Sequence, residues 1–378
     1  MMEFGEYIII GAGLFGSVLA ERISNDLGKQ VTLIEKRIHT GGCCYSEIDT
    51  ITGIEYHKYG THIFHTSDDD IWKYISRFIT FNGYRHQVLA SCKGKIYQMP
   101  VNLETINSFY NMNLRPTEAI LLLKEEAMKC GITEPSNFEE KALSVIGKSL
   151  YEAFFKGYTQ KQWKKDPVNL PASIFERIPI RTNYDESYFF DRWQGVPECG
   201  YAALFDKLLS SKNIQVYTGT DFFDIRRELP TDVTIIYSGC IDAYFDYCFG
   251  HLEWRGLRFE KETVPIGDYQ GAAVVNYTDI DVPFTRIHEP RHLHPERKYP
   301  DDRSLIIREY PANEDTYYPI NDESNRLLYE RYLQLAKLEN HVYFGGRLGS
   351  YQYMDMHHAI ADALKLYKHL KTCTLNQC

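Results

Sequence analysis

YIIIGAGLFG occupies residues 7–16 and VTLIE residues 31–35. Tyr7–Ile10 is an apolar, β-branched run and reads as a buried strand, Gly11 to Gly16 as a turn that opens a helix, and Val31–Glu35 as the next strand. The turn carries Gly11, Gly13, Phe15 and Gly16, and Glu35 closes the second strand 19 residues after Gly16. This register suits a dinucleotide. Glycines allow the tight turn and let the backbone approach a pyrophosphate, the helix N-terminus meets its charge, and the acid accepts from a ribose hydroxyl. A plain turn would need no acid at that distance. The motif by itself does not separate a nicotinamide from a flavin dinucleotide.

Two further stretches favour FAD. Lys36 and Arg37 follow Glu35, and Gly41-Gly42 supplies a second glycine loop where many flavin-binding chains have one. Near the other end, Phe344 to Arg347 (FGGR) follows a predicted strand, and Asp355-Met356 lead into a helix whose positive N-terminal end would favour a flavin carbonyl. FAD is therefore expected between both ends of the chain, with Lys36, Gly42, Gly346, Arg347, Asp355 and Met356 among its neighbours.

The bulk composition narrows the partners. A net charge of -9 repels polyanions, so neither nucleic acid nor an anionic membrane surface is expected, and any phosphate-bearing ligand must meet a local arginine cluster. Nine cysteines without a CxxC pair do not form a secreted disulfide framework, which points to a reducing cytoplasm. The longest apolar run, Tyr7 to Ala20, is broken by glycines, and no signal peptide or membrane span is predicted.

The periodicities predict an α/β chain: a Rossmann-like FAD-binding domain with an inserted helical domain and an antiparallel β-sheet domain. Residues 1–80, 197–245 and 335–378 supply the discontinuous nucleotide domain. Residues 103–165 are helical, with Thr117–Lys129 and Ser149–Lys161 as the clearest amphipathic runs. Residues 81–102, 166–196 and 246–334 alternate Pro, β-branched and aromatic residues with charges, as antiparallel strands and loops do.

Several ordered motifs together resemble the bacterial flavin-dependent UDP-galactopyranose mutases over nearly the whole chain. They are the opening glycine loop with IEKR (34–37), HKYGTHIFHT (57–66), FKGYTQKQW (155–163), RIPIR (177–181), Tyr247 to Arg255, PFTRI (283–287), YYPI (317–320), and GGR (345–347) through DMH (355–357). The resemblance implies reversible contraction of UDP-galactopyranose to UDP-galactofuranose without net redox change. Reduced FAD (FADH-) would attack sugar C1 through its N5 atom, and the enzyme would be a homodimer. The same chemistry on a 6-deoxy, N-acetyl or dTDP-linked sugar is an alternative. A flavin oxidoreductase, or a silent flavoprotein that only binds a nucleotide sugar, is a more distant one.

By residue-by-residue match, Arg177 and Arg286 resemble the pair that meets the departing diphosphate, a role suited to planar guanidinium forks. Tyr188, Tyr318 and Tyr353 match tyrosines that bond the diphosphate. Tyr158, Thr159, Trp163 and Phe189, with Phe154, match the uridine end, and Lys164 to Pro171 resembles a mobile lid. His62 matches the histidine beside the flavin N5 edge, Thr61 is its neighbour on the same loop, His86 and Asn276 resemble substrate-side positions, and Arg255 would face the diphosphate. Each of these could instead be an ordinary packed aromatic or an ion-paired arginine. His62 and His65 are spaced HxxH without a companion ligand motif, so no metal is expected. His292, His294, His357 and His358 read as surface or capping residues. The chain departs from the family pattern with Cys43-Cys44 after the double glycine, where Asn is usual, with Thr61 in place of Ala, and with Asn183-Tyr184 in place of Thr-Phe.

Overall fold

The computed structural model describes residues 2–313 and 315–376. Met1, Glu314, Gln377 and Cys378, which the expected boundaries 1–80, 246–334 and 335–378 take in, lie outside the described residues.

Tyr7–Ile10 is the central strand of a five-stranded parallel sheet, flanked by Val31–Glu35 and Ile214–Thr218 on one side and by Thr234–Tyr237 and Val342–Phe344 on the other. Its unbroken apolar run follows from burial on both faces. Tyr7 and Ile9 enter the main core with Val18, Leu19 and Ile23 of the helix Leu14–Asp26. Ile8 and Ile10 enter a second cluster with Ile34, Phe222 and Tyr244. The long helix Met356–Asn376 packs along Leu14–Asp26, so both ends of the chain build one face of this sheet.

The second layer is a seven-stranded sheet in the order Tyr318–Pro319, Trp254–Val264, Ser304–Ala312, Arg286–His288, Val274–Tyr277, Val88–Cys92 and Lys95–Met99. Every pairing is antiparallel except Val274–Tyr277 with Val88–Cys92, which run parallel. The stretch 166–196, expected in this sheet, contributes no strand to it. It forms a turn at Pro167–Asn169, a short helix at Ser173–Glu176 and the strand Trp193–Gly195, which pairs with Phe64–Thr66 instead. Pro167 and Pro171 lack the N–H that a ladder needs, and Tyr188 and Phe189 face a cavity where an alternating strand would face a core.

After the strand Lys95–Met99 the chain enters a helical insertion, Leu103–Tyr110, Pro116–Cys130 and Phe138–Leu150, continued by Gly157–Trp163, which packs against the seven-stranded sheet. Asn102 and Asn137 cap two of these helices, their side-chain oxygens accepting from the N–H groups of Thr105 and Glu140, both at 3.0 Å. The amphipathic run Ser149–Lys161 is not one α-helix. Tyr151–Lys156 forms a π turn, whose wider coil buries Tyr151, Ala153, Phe154 and Phe155 together, a grouping that no single 3.6-residue stripe allows.

Candidate functional site

The glycine turn is shaped by close approach. A Cβ on Gly16 would lie 2.0 Å from the Gly11 carbonyl oxygen, and one on Gly11, which sits at φ 99°, would lie 2.2 Å from Ser238 Oγ. Any side chain at either position collides with its surroundings, so the loop stays flush with the sheet and the helix N-terminus is open to a phosphate. Glu35 is buried and fixes the turn, accepting from the N–H of Ala12 at 2.7 Å and of Arg37 at 2.9 Å. Gly42 lies against Gly13, and the Gly345-Gly346 turn lies against the Phe15 ring, so the two glycine loops and the far end of the chain converge. Phe15 is buried in that junction. Lys36 points elsewhere: its ammonium is exposed and pairs with Asp221 at 2.8 Å, because the strand ends at Glu35 and the next side chain turns outward.

Two cavities share a wall, and the smaller reaches Arg347, the residue after the Gly345-Gly346 turn. The smaller, of about 220 Å³, is lined by Thr61, His62, His86, Tyr188, Asn276, Arg347 and Met356 among others. The larger, of about 470 Å³, is lined by Tyr158, Trp163, Arg177 and Arg255, and by Asn169 to Pro171 of the segment compared above to a lid. Phe189, Arg286, Tyr318, Tyr353 and Asp355 line both. Arg177 and Arg286 thus share the walls of one cavity, with Arg255 as a third guanidinium.

Arg286 anchors a buried charge network. Its Nε lies 3.4 Å from Glu309 Oε1, and its terminal nitrogen donates to the Tyr158 hydroxyl. Burial opposes the Arg286 charge, but Glu309 overrides it and holds the guanidinium well above its ordinary range. Burial likewise works to raise the Glu309 carboxyl, and Arg286 keeps it low. His288 completes the network, 3.0 Å from Glu309 Oε2 and 2.7 Å from Thr61 Oγ1. Burial lowers the His288 pKa, so the ring is neutral; facing a carboxylate, Nε2 donates and Nδ1 accepts from Thr61. The Thr61 departure therefore supplies a donor that Ala could not.

Burial pushes the His62 ring down to about 4 and His86 down to about 3, so both are neutral near pH 7. His62 Nδ1 donates to the Gly60 carbonyl at 2.7 Å, which leaves Nε2 as an acceptor. The Tyr318 hydroxyl is pushed up to about 12 by burial and stays protonated as a donor. Among the described residues, four buried polar atoms of cavity-lining side chains lack a hydrogen-bond partner: Gln162 Oε1, Asn276 Oδ1, Arg255 Nε and Arg286 Nε, the last held only by its ion pair with Glu309. Buried polar groups are normally paired, and a polar ligand lying against these walls would supply the partners. The flush glycine cradle at one end and the cationic walls at the other fit a dinucleotide beside a second phosphate-bearing molecule. Arg347, which donates to the carbonyls of Tyr317 and Met354, sits where the two regions meet.

Two expected contacts are not on the cavity walls. Phe154 is buried in the core, its ring packed against Tyr97 and Phe109. Thr159 is buried one position beyond Tyr158 and lines neither cavity. The HxxH pair does not converge on a point. His62 is held by Gly60, while His65, Asp355 and His357 bring donor atoms within 4.8 Å of one another, with His65 also 2.6 Å from Asp191. His294, expected at the surface, is buried against Glu55 and Glu296.

Sequence reasoning missed Glu309, His288 and the Tyr59 and Tyr317 walls of the smaller cavity. Glu309 did leave a signal, a carboxylate in alternation with Leu305 and Ile307 on the buried face of its strand.

The chain is similar to known proteins along most of its length. Residues 153–353 match the family model of UDP-galactopyranose mutase, and residues 9–78 match the NAD(P)-binding Rossmann-like domain. A probable UDP-galactopyranose mutase of Klebsiella pneumoniae is 41% identical over 374 residues, spanning 98% of this chain and 96% of that protein. A dTDP-fucopyranose mutase of Escherichia coli is 40% identical, spanning 95% and 96%. The crystal structure of a reduced UDP-galactopyranose mutase superposes with a TM-score of 0.75 at 13% identity, over 98% of this chain and 95% of that one, a likeness of fold.

Proposed function

The chain belongs to the UDP-galactopyranose mutase family, and on that footing we propose that it interconverts UDP-galactopyranose and UDP-galactofuranose, holding FAD in its reduced form. The observation that carries this reading is the shared wall: Arg286, Tyr318 and Tyr353 face both the cavity beside the dinucleotide cradle and the wider cavity lined by Trp163 and Arg177. A nucleotide diphosphate held by those groups would present its sugar toward the cradle. Gly11, Gly13, Gly16, Gly42, Glu35, Gly346 and Arg347 would hold the FAD, with Asp355 and Met356 at the N-terminus of the last helix. When bound and reduced, the flavin would supply an electron-rich nitrogen able to act as nucleophile toward the anomeric carbon.

The chain's own part is orientation and charge. Arg177, Arg255 and Arg286 would stabilise the diphosphate as it leaves, most strongly where burial lowers the local dielectric. Tyr188, Tyr318 and Tyr353 would donate to its oxygens, and Tyr158 would do so while keeping Arg286 in place. Trp163 and Phe189 offer faces for the base. Neutral His86 and the Asn276 oxygen suit sugar hydroxyls, and His62 Nε2 can accept a hydrogen bond from a ligand. The segment 164–171 would keep water from the reacting sugar. A cytoplasmic homodimer belongs to the same reading.

Incubation of the dithionite-reduced protein with UDP-galactofuranose, followed by chromatographic separation of pyranose and furanose, tests it. Pyranose formed without consumption of an electron acceptor is the expected result. The near-equal identity to a dTDP-fucopyranose mutase favours a second reading, the same contraction on a dTDP-linked 6-deoxy sugar. Running dTDP-fucofuranose in parallel decides between them by the ratio of kcat/KM values.

A further inference from the structure

Lys161 belongs to no step described so far, yet its surroundings are unusual. It lies on the helix Gly157–Trp163, is only 8% exposed, and has no carboxylate within ion-pair distance among the described residues. Its ammonium instead donates to four backbone carbonyls, those of Tyr277 and Asp279 at 2.8 Å and of Val282 and Phe284 at 3.0 Å. Tyr277 ends the strand Val274–Tyr277, and the other three lie in the connection from it to Arg286–His288, with which it pairs antiparallel as a hairpin. An ammonium has three N–H groups, so the loop offers one more acceptor than the group has donors. Four carbonyls turned inward onto one point make a cation socket, and Lys161 fills it with a tethered cation.

The socket connects the two sides of the candidate site. One helix carries Tyr158, Gln162 and Trp163 to the wider cavity, and the hairpin carries Asn276 and Arg286. Gly157, one turn before Lys161, is pressed so close to the same loop that a Cβ there would lie 2.5 Å from the Thr278 oxygen. Tyr158 then meets Arg286 through its hydroxyl. We propose that Lys161 is a positioning residue, a tethered cation that holds the 278–285 loop in shape and thereby sets the nucleotide-facing helix against the Arg286 strand. The inference rests on the functional reading above only for the identity of the nucleotide.

The test uses the purified flavoprotein and three variants, Lys161→Ala, Lys161→Met and Lys161→Arg. It reads amide hydrogen exchange over residues 277–286, UDP affinity by calorimetry, and the split between KM and kcat. In the Ala and Met variants, loss of the charge-assisted bonds should speed exchange in the loop and weaken UDP by about tenfold or more, while saturated turnover changes less than KM. Arg should not substitute, because a planar fork cannot aim its donors at carbonyls surrounding one point. Added n-propylammonium, the fragment that the Ala change deletes, should restore loop protection and UDP affinity to Lys161→Ala and not to Lys161→Met, whose side chain fills the channel. Unchanged loop exchange in both the Ala and Met variants, or an Arg variant matching wild type in exchange and affinity, would overturn the proposal. Should the Ala and Met variants fail to fold, Lys161→Arg still decides. If wild-type protein binds no UDP, the functional reading fails, while the exchange comparison continues to test Lys161.

Discussion

Replacing Arg286 by Met should remove two separable contributions, one to turnover and one to stability. As a donor to charge that develops on the departing diphosphate, the guanidinium is worth roughly 2.7–4 kcal/mol, which corresponds to a loss of about 10²–10³ in kcat. Glu309, with its side chain only 3% exposed, would meanwhile lose its nearest cation at 3.4 Å. Removing one partner of a buried pair costs about 3–5 kcal/mol, and here the lower end applies, since His288 at 3.0 Å and the Thr285 hydroxyl at 3.2 Å still face the carboxylate. Adding Glu309→Gln removes the stranded charge. The double variant should therefore regain most of the melting temperature lost by Arg286→Met and none of the turnover. Flavin-fluorescence melting and the reduced-enzyme mutase assay measure the two quantities on the same samples. An Arg286→Met protein that retains its flavin and turns over within about threefold of wild type would refute the electrostatic role. A double variant that regains activity would show that Arg286 acts by neutralising Glu309 and not on the substrate.

Gly16→Ala places a Cβ at 2.0 Å from the Gly11 oxygen, so the purified protein should come out with flavin occupancy reduced at least about tenfold, read from its absorbance. Lys36→Ala should change flavin affinity by less than about threefold, because the exposed pair with Asp221 is worth roughly 0–1 kcal/mol and points away from the cradle. Acidification should destabilise the protein between pH 6.5 and 5. The His86 pKa falls from 6.5 unfolded to about 3 folded, so the unfolded chain binds the proton first, and the stability present above pH 6.5 is lost as pH falls. That histidine alone accounts for about 1.6 kcal/mol between pH 6.5 and 5, and His86→Gln should flatten the melting-temperature profile over that window.

What the sequence made legible follows the range over which each signal acts. The glycine loop, the buried strand Tyr7–Ile10 and Glu35 are local patterns whose geometry the chain dictates within a few residues. Arg177 and Arg286 came from motifs, and their common cavity is a property of the fold. The partnership of Arg286 with Glu309 depends on register, since the two face each other across paired strands, and no local periodicity sets that alignment. Phe154 packs against Tyr97 and Phe109 through contacts that no local pattern announces, and Lys36 pairs outward with Asp221 because a residue just past a strand end has no face imposed on it. The carbonyl socket around Lys161 is built from main-chain atoms, to which side-chain patterns are blind. The stretch 166–196 misled because prolines and aromatics that shape a cavity wall resemble those that shape an edge strand.

The meeting of Gly42 with Gly13 and of Gly345-Gly346 with Phe15 bears on how the protein matures. The coenzyme cradle closes only when residues some 330 positions apart in the chain are brought together, across a sheet whose strands come from five separate stretches. On the proposed reading, a ribosome-bound fragment lacking the last strand and the two helices after it has the fingerprint but not its lid of backbone, so coenzyme capture would follow synthesis of the C-terminal helix. Yellow colour in a preparation thus reports complete, correctly closed molecules, and a C-terminal truncation before Val342 should yield colourless protein even though every residue of the glycine fingerprint remains.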